Sequence, residues 1–222
     1  MEAARTPVNG QAADLAVNGQ AADLAVHGQA AELPVHGQAT ETPVHGPDLS
    51  VALTTARLRL EPLNAGHAAG MFEAMRDPAL YQWISLQPSP DLVHLERRWA
   101  WVSERPLVGV ETLDLGWAVL RRDDGACIGK MDAEVTAAGI ASNVGYMFWP
   151  PYWGRGYATE AVTALSDHLR GHGVVRQHAT VTLGNEASCR VLEHAGFARE
   201  RVLVGNDTLR GELVDDVEYV RR

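Results

Sequence analysis

The chain has 222 residues, of which 46% are hydrophobic and 21% charged, and its net charge is −9. Such a composition can bury one sizeable core, and the acidic balance argues against a nucleic-acid partner while fitting a cationic acceptor such as an amine. No apolar run approaches the ~20 residues that span a bilayer and no signal segment is recognisable, so we expect a cytoplasmic protein with no membrane partner.

The N-terminal part is a nine-residue repeat. It reads VNGQAADLA twice from Val8, followed by VHGQAAELP and VHGQATETP. Nine-residue spacing places successive valines on opposite faces of either a helix or a strand, so no apolar face forms. We therefore predict a disordered arm over residues 1–48 and a folded domain over residues 49–222. A partner-recruiting tail is the alternative for the arm.

The folded part alternates between strand and helix patterns. In chain order the sequence predicts a strand over 58–61, a helix from Asn64 to about 76, a helix over 90–104, strands over 115–121, 127–135 and 142–149, a helix over 157–169, a strand over 175–182, a helix over 187–194, and strands over 201–204 and 214–219. Short turns make the three middle strands an antiparallel meander. The sum is an α+β fold, a mixed sheet with helices on both faces.

The most informative stretch is PPYWGRGYATEA, residues 150–161. Gly154 and Gly156 open a long helix, and a helix N-terminus presents unpaired N–H groups that can bind a phosphate. A dinucleotide-binding motif fails because Thr159 stands where its third glycine belongs, and the glycine-rich segment ending at Met131 is one residue short of a P-loop. The turn thus predicts an anion site of another kind.

Several motifs together resemble the GNAT superfamily of N-acetyltransferases, in particular its RimJ/RimL-like branch. They are TARLRL at 55–60, VGY at 144–146, GRGYATEA at 154–161 and NEASCRVLEHAGF at 185–197. The resemblance covers the chain from Leu53 onward. It implies a mostly antiparallel central sheet and transfer of an acetyl group from acetyl-CoA to a primary amine, on a small molecule or a protein N-terminus, by direct attack in a ternary complex. A homodimer is compatible with the family, and no metal is implied.

The resemblance also implies where acetyl-CoA binds. Backbone groups of the strand and the glycine loop would contact it, at Met147, Phe148, Trp149, Gly154, Arg155, Gly156, Tyr157, Ala158 and Thr159. Asn185 resembles the family's cofactor-contacting asparagine, and Ser188 the hydroxyl near the thioester sulfur. Capping of the following helix is the alternative role for both. Glu160, in the first turn of its helix, is expected to be structural.

The sequence offers two candidates for the general base. Some relatives carry a carboxylate where this chain has Asn143, which cannot accept a proton. Asp132 and Glu134, two apart on one strand face, are expected across the hairpin from Asn143, where they would act as base through water. A solvated outer face is the alternative for these acids, and a non-catalytic acyl-CoA sensor is the alternative function. We assign Asn143 and Trp83 to the acceptor site, with core packing as the alternative for the tryptophan.

Overall fold

The computed structural model describes residues 46–105 and 110–222. Within these ranges eight strands form one sheet in the order β1-β2-β3-β4-β5-β6-β8-β7. The strands are β1 Leu53–Thr54, β2 Leu58–Pro62, β3 Thr112–Arg121, β4 Cys127–Thr136, β5 Ile140–Phe148, β6 Arg176–Thr182, β7 Ala198–Leu209 and β8 Glu212–Arg221. The α-helices are α1 Gly46–Leu49, α2 Ala68–Met71, α3 Leu92–Glu104, α4 Tyr157–Gly171 and α5 Glu186–His194. The predicted fold class is confirmed, whereas all but the last three residues of the predicted arm lie outside the described residues.

The first predicted helix is where the structure differs most from the sequence pattern. Instead of one helix to about residue 76, there are 3-10 turns at Ala65–His67 and Ala74–Arg76 on either side of the short α2. Asn64 does cap the first turn, accepting a hydrogen bond from the Gly66 N–H at 2.9 Å. Gly66 and Gly70 both disfavour continuous helix, and the turns still bury Met71 and Met75.

The central meander formed as predicted and divides its side chains between two cores. On β4, Met131, Ala133 and Val135 join a core that includes α4 residues such as Leu165. Strand alternation places Lys130, Asp132 and Glu134 on the opposite face. That face also carries Ala118 and Met147, which pack with Trp99 of α3 in the second core. The sheet therefore has α4 and α5 on one face and α2 and α3 on the other.

A split in the middle of the sheet creates the site. Strands β5 and β6 run parallel and pair only at Ile140 with Arg176 and at Ala141 with Gln177. Strand β5 continues to Phe148 while β6 turns to pair with β8 along its length. Because the strands diverge beyond Ala141, a cleft opens between them.

Candidate active site

The cleft holds a cavity of about 480 Å³. This volume lies within the range of small-molecule sites. Four parts of the described chain converge on it: the segment around Trp83, the end of β5, the turn into α4 with its first residues, and α5. Its lining includes the predicted residues Trp83, Met147, Phe148, Gly154, Gly156, Tyr157, Ala158, Thr159, Asn185 and Ser188.

The turn before α4 leaves the start of that helix open. Gly154 and Gly156 have φ values of 69° and 74°, the left-handed conformation that favours glycine. Gly156 is the N-cap, and no side chain of the described residues caps the helix. The first helical bond runs from the Glu160 N–H to the Gly156 carbonyl, so the N–H groups of Tyr157, Ala158 and Thr159 have no acceptor within α4. The arrangement fits a bound anion.

Glu160 connects this turn to the segment between β1 and β2. Its Oε1 accepts hydrogen bonds from the Thr55 hydroxyl at 2.6 Å and the Arg57 N–H at 2.8 Å, and its Oε2 pairs with Arg57 Nε at 2.6 Å. Arg57 also donates to the Arg155 carbonyl at 2.9 Å and lies over the Tyr157 ring. Burial opposes ionisation of Glu160, but these hydrogen bonds and the arginine charge outweigh it and lower its pKa. These contacts are those expected of a structural residue.

Asp132 is buried, not part of a solvated face. Only 4% of Asp132 and 2% of Lys130 are exposed, and the lysine Nζ lies 2.7 Å from Asp132 Oδ1. Asn143 Nδ2 donates to Asp132 Oδ2 at 3.3 Å. Gly145, directly opposite on β5, leaves the space that the carboxylate fills, since a Cβ there would clash with it. Both oxygens of Asp132 are therefore already occupied by donors.

Glu134 is placed differently. It lies opposite Asn143 in the β4–β5 register, as predicted, and is half-buried. Its Oε1 accepts a hydrogen bond from the Ser142 hydroxyl at 2.7 Å. Its Oε2 has no hydrogen-bond partner among the described residues. Glu134 and Asp132 are close enough to Asp114 that their charges, after its own burial, help raise the pKa of that carboxyl.

Asn185 and Ser188 sit where α5 begins. Asn185 Oδ1 accepts a hydrogen bond from the Ser188 N–H at 3.2 Å, so Asn185 is the N-cap of α5 and also lines the cavity. The Ser188 hydroxyl lies 2.5 Å from the Tyr146 hydroxyl. Tyr146 was not among the predicted site residues. The VGY motif marked its position, but the contact joins residues 42 apart and has no local signature.

A family comparison decides the identity of the fold. Residues 57–198 match the model of the acetyltransferase (GNAT) domain. The chain belongs to the GNAT acetyltransferase family. A curated relative, the uncharacterized N-acetyltransferase YoaA of Bacillus subtilis strain 168, is 26% identical over 153 residues, covering 68% of this chain and 85% of that protein.

Solved GNAT structures share the architecture. The ribosomal-protein-S5-alanine acetyltransferase of Vibrio fischeri superposes with a TM-score of 0.68 at 18% identity, covering 77% of this chain and 96% of that one. RimL, a ribosomal α-N-protein acetyltransferase in complex with coenzyme A, gives 0.66 at 18% identity, covering 76% and 96%. At these identities the likeness establishes the fold. The family transfers acetyl groups and uses acetyl-CoA.

The remaining predicted site residues either line the cavity or lie outside its lining. Trp83 lines it, and its carbonyl accepts a hydrogen bond from the Thr182 hydroxyl at 3.4 Å. Trp149 is buried beneath, where its indole N–H donates to the Cys127 carbonyl at 3.0 Å. Asp132, Glu134, Asn143, Trp149 and Arg155 are not among the lining residues. Asn143 lies with the two acids on the face that α3 covers.

Metal and membrane sites find no support in the described ranges. Residues 46–105 and 110–222 contain no group of three or more His, Cys, Asp or Glu placed to hold a metal. No helix in these ranges is long and apolar enough to cross a bilayer. Burial raises the pKa of the Cys127 thiol to about 11, which disfavours the nucleophilic thiolate.

Proposed function

We propose that this protein transfers an acetyl group from acetyl-CoA to a primary amine by direct attack in a ternary complex. The observation that carries the proposal is one cavity that combines the uncapped N-terminus of α4 with the free edge of β5. The first supplies donors for a pyrophosphate. The second supplies backbone groups for an extended chain such as pantetheine.

Donor binding would rely mainly on backbone groups. The N–H groups at Tyr157, Ala158 and Thr159 and the helix dipole favour negative charge without requiring basic side chains. Beyond Ala141 the edge of β5 facing the cleft pairs with no strand of the described residues, so its N–H groups are available, although the Phe148 carbonyl already accepts a hydrogen bond from the Trp153 indole N–H at 2.5 Å. The Phe148 N–H, on the cleft side of β5, is suited to polarise the thioester carbonyl, whereas the backbone of Met147 faces Lys130 of β4.

Among the predicted acids, Glu134 is the better general base. A base needs an oxygen that can approach the substrate amine or a bridging water. Asp132 has both oxygens engaged, whereas Glu134 keeps Oε2 available and is half-buried. We assign Asp132 the role of fixing Asn143, and Glu134 that of removing the proton through water. One proton leaves the ammonium group through water to Glu134, the freed lone pair forms the C–N bond, and the C–S electron pair leaves with sulfur. The second proton passes from the nitrogen of the adduct to solvent.

The acceptor would enter beside Trp83 and the β4–β5 acids. Acids at Asp114, Asp132 and Glu134 outnumber the cations of Lys130 and Arg105 in their immediate surroundings. A surplus of negative charge favours an ammonium group. Either a protein N-terminus, as the name of RimL states for that enzyme, or a small amine would satisfy this requirement.

A turnover screen tests the proposal. Purified protein is incubated with acetyl-CoA and a panel of small amines and N-terminal peptides, and free CoA is measured. We expect turnover with at least one amine, and a fall of about 100-fold or more in kcat for Glu134→Gln at unchanged acetyl-CoA affinity. Glu111→Gln, at an exposed glutamate before β3, is the matched control. Tight acetyl-CoA binding without turnover would instead identify a sensor, and normal kcat in Glu134→Gln would exclude that base.

A further inference from the structure

Tyr146 reaches across the cleft between the diverging strands. It lies near the end of β5, and its hydroxyl contacts the first turn of α5, 2.5 Å from Ser188 Oγ and 3.1 Å from the Ser188 carbonyl oxygen. Tyr146 and Ser188 both line the cavity. The contact therefore spans the opening in which we place the donor, and it joins the two elements that bind the donor on either side.

The two hydroxyls have only two protons to share. In one arrangement Tyr146 donates a hydrogen bond to Ser188 Oγ, and the serine hydroxyl can donate to a third group. In the other, the serine hydroxyl donates to the tyrosine oxygen. The Ser188 carbonyl lies in the first turn of α5, where it can accept a hydrogen bond from the backbone N–H four residues later. It therefore does not depend on Tyr146 for a donor. The shorter contact is to Oγ. These distances favour the arrangement in which Tyr146 donates to Oγ and leaves the serine proton for the cavity.

We propose that Tyr146 is a positioning residue that turns the Ser188 hydroxyl toward the sulfur of CoA. This inference rests on the proposed function, because the sulfur is that of the donor. The role is one of hydrogen bonding: Ser188 donates to the sulfur as negative charge accumulates on it, and Tyr146 donates to Ser188. No proton leaves the tyrosine in the step. The thiolate acquires its proton from solvent after the C–S bond has broken.

The surroundings of Tyr146 suit a permanent donor. Burial raises the pKa of its phenol well above the ordinary value, and the hydrogen bond with Ser188 only partly offsets this. The phenol therefore stays protonated throughout the working pH range. Tyr219 offers a matched control, because it is also a buried tyrosine with a raised pKa, its hydroxyl donates to Glu193 at 3.1 Å, and neither Tyr219 nor Glu193 lines the cavity.

The test measures the thiol pKa of bound CoA, which needs no turnover. Thiolate absorbance is titrated for CoA in complex with wild type, Tyr146→Phe, Ser188→Ala, the double variant and Tyr219→Phe. We expect wild type and Tyr219→Phe to lower the thiol pKa relative to free CoA. Tyr146→Phe and Ser188→Ala should each raise the thiol pKa of bound CoA toward that of free CoA, by similar amounts. The double variant should have the same thiol pKa as either single variant.

Turnover supplies a second measurement. In the amine reaction we expect kcat to fall about 10- to 100-fold in Tyr146→Phe with little change in the KM for acetyl-CoA, and less than about 2-fold in Tyr219→Phe. A thiol pKa in Tyr146→Phe equal to that of wild type would overturn the inference, as would additive effects of the two substitutions. If wild type shows no turnover but the thiol titrations follow the expected order, the proposed function fails and the positioning role stands.

Discussion

Replacing Gly145 by alanine tests how tightly the buried acid is packed. The new Cβ would lie well inside the 3.0 Å limit for real Cβ contacts from Asp132 Oδ2, and 3.0 Å from its carboxyl carbon. The carboxylate cannot simply rotate away. Lys130 Nζ holds one oxygen at 2.7 Å and Asn143 Nδ2 holds the other at 3.3 Å, with the lysine almost fully buried.

The cost has two parts. Overpacking a well-filled interior costs about 1–3 kcal/mol. Moving Asp132 away from Lys130 leaves a buried ammonium without its partner, and breaking such a pair costs about 3–5 kcal/mol. Because the surrounding structure can relax and keep part of the Lys130–Asp132 interaction, we expect Gly145→Ala to lower the free energy of unfolding by about 3 kcal/mol. This is a large share of the roughly 5–15 kcal/mol by which an ordinary domain is stable.

Urea unfolding followed by circular dichroism measures this free energy. Gly70→Ala is the control, because a Cβ at this α2 position meets nothing within 4 Å. The variant Asp132→Ala removes the obstacle, so Gly145→Ala should cost less than about 1 kcal/mol in that background. A loss below 1 kcal/mol in Gly145→Ala alone, or full additivity with Asp132→Ala, would refute the packing argument.

Two further predictions concern the turn before α4. Gly156→Ala should destabilise the protein by about 1–2 kcal/mol, since alanine is strained at φ 74°, and should weaken acetyl-CoA binding by calorimetry, whereas Gly171→Ala at the other end of α4 should leave affinity unchanged. Glu160→Gln should cost about 1–2 kcal/mol at pH 7 through its weakened bonds to Arg57. Because the folded pKa of Glu160 lies below its ordinary 4.5, wild type loses this stability as pH falls below about 4.5, so the two unfolding curves should converge in acid and a constant difference would contradict the assignment.

The donor side of the site could be read from the sequence because its signals are local. Two glycines, a helix pattern and an N-cap asparagine each specify backbone geometry within a few residues, and the structure has all of them at Gly154, Gly156 and Asn185. The predicted strands of the meander likewise depend on short turns, and their register placed Glu134 opposite Asn143 as expected.

Contacts between distant segments were beyond such signals. Alternation showed that Asp132 and Glu134 share a face, but not that one would be buried against Lys130 and the other left partly open. That difference depends on Gly145 of the next strand and on the covering layer that contains α3. The broken helix after Asn64 is a different case, because Gly66 and Gly70, which disfavour continuous helix, are visible in the sequence itself.

The charges of Asp114, Asp132 and Glu134 would affect both substrate binding and product release. Arg105 pairs with Asp114 and Lys130 with Asp132, so Glu134 is the acid in this group without a cation of its own among the described residues. An ammonium acceptor would supply that missing positive charge. Once one ammonium proton has passed to Glu134 and a second to solvent, the nitrogen is an amide and the attraction is lost, because the product is neutral. The same carboxylate would then favour substrate binding before the reaction and product release after it. Glu134→Gln would remove both effects.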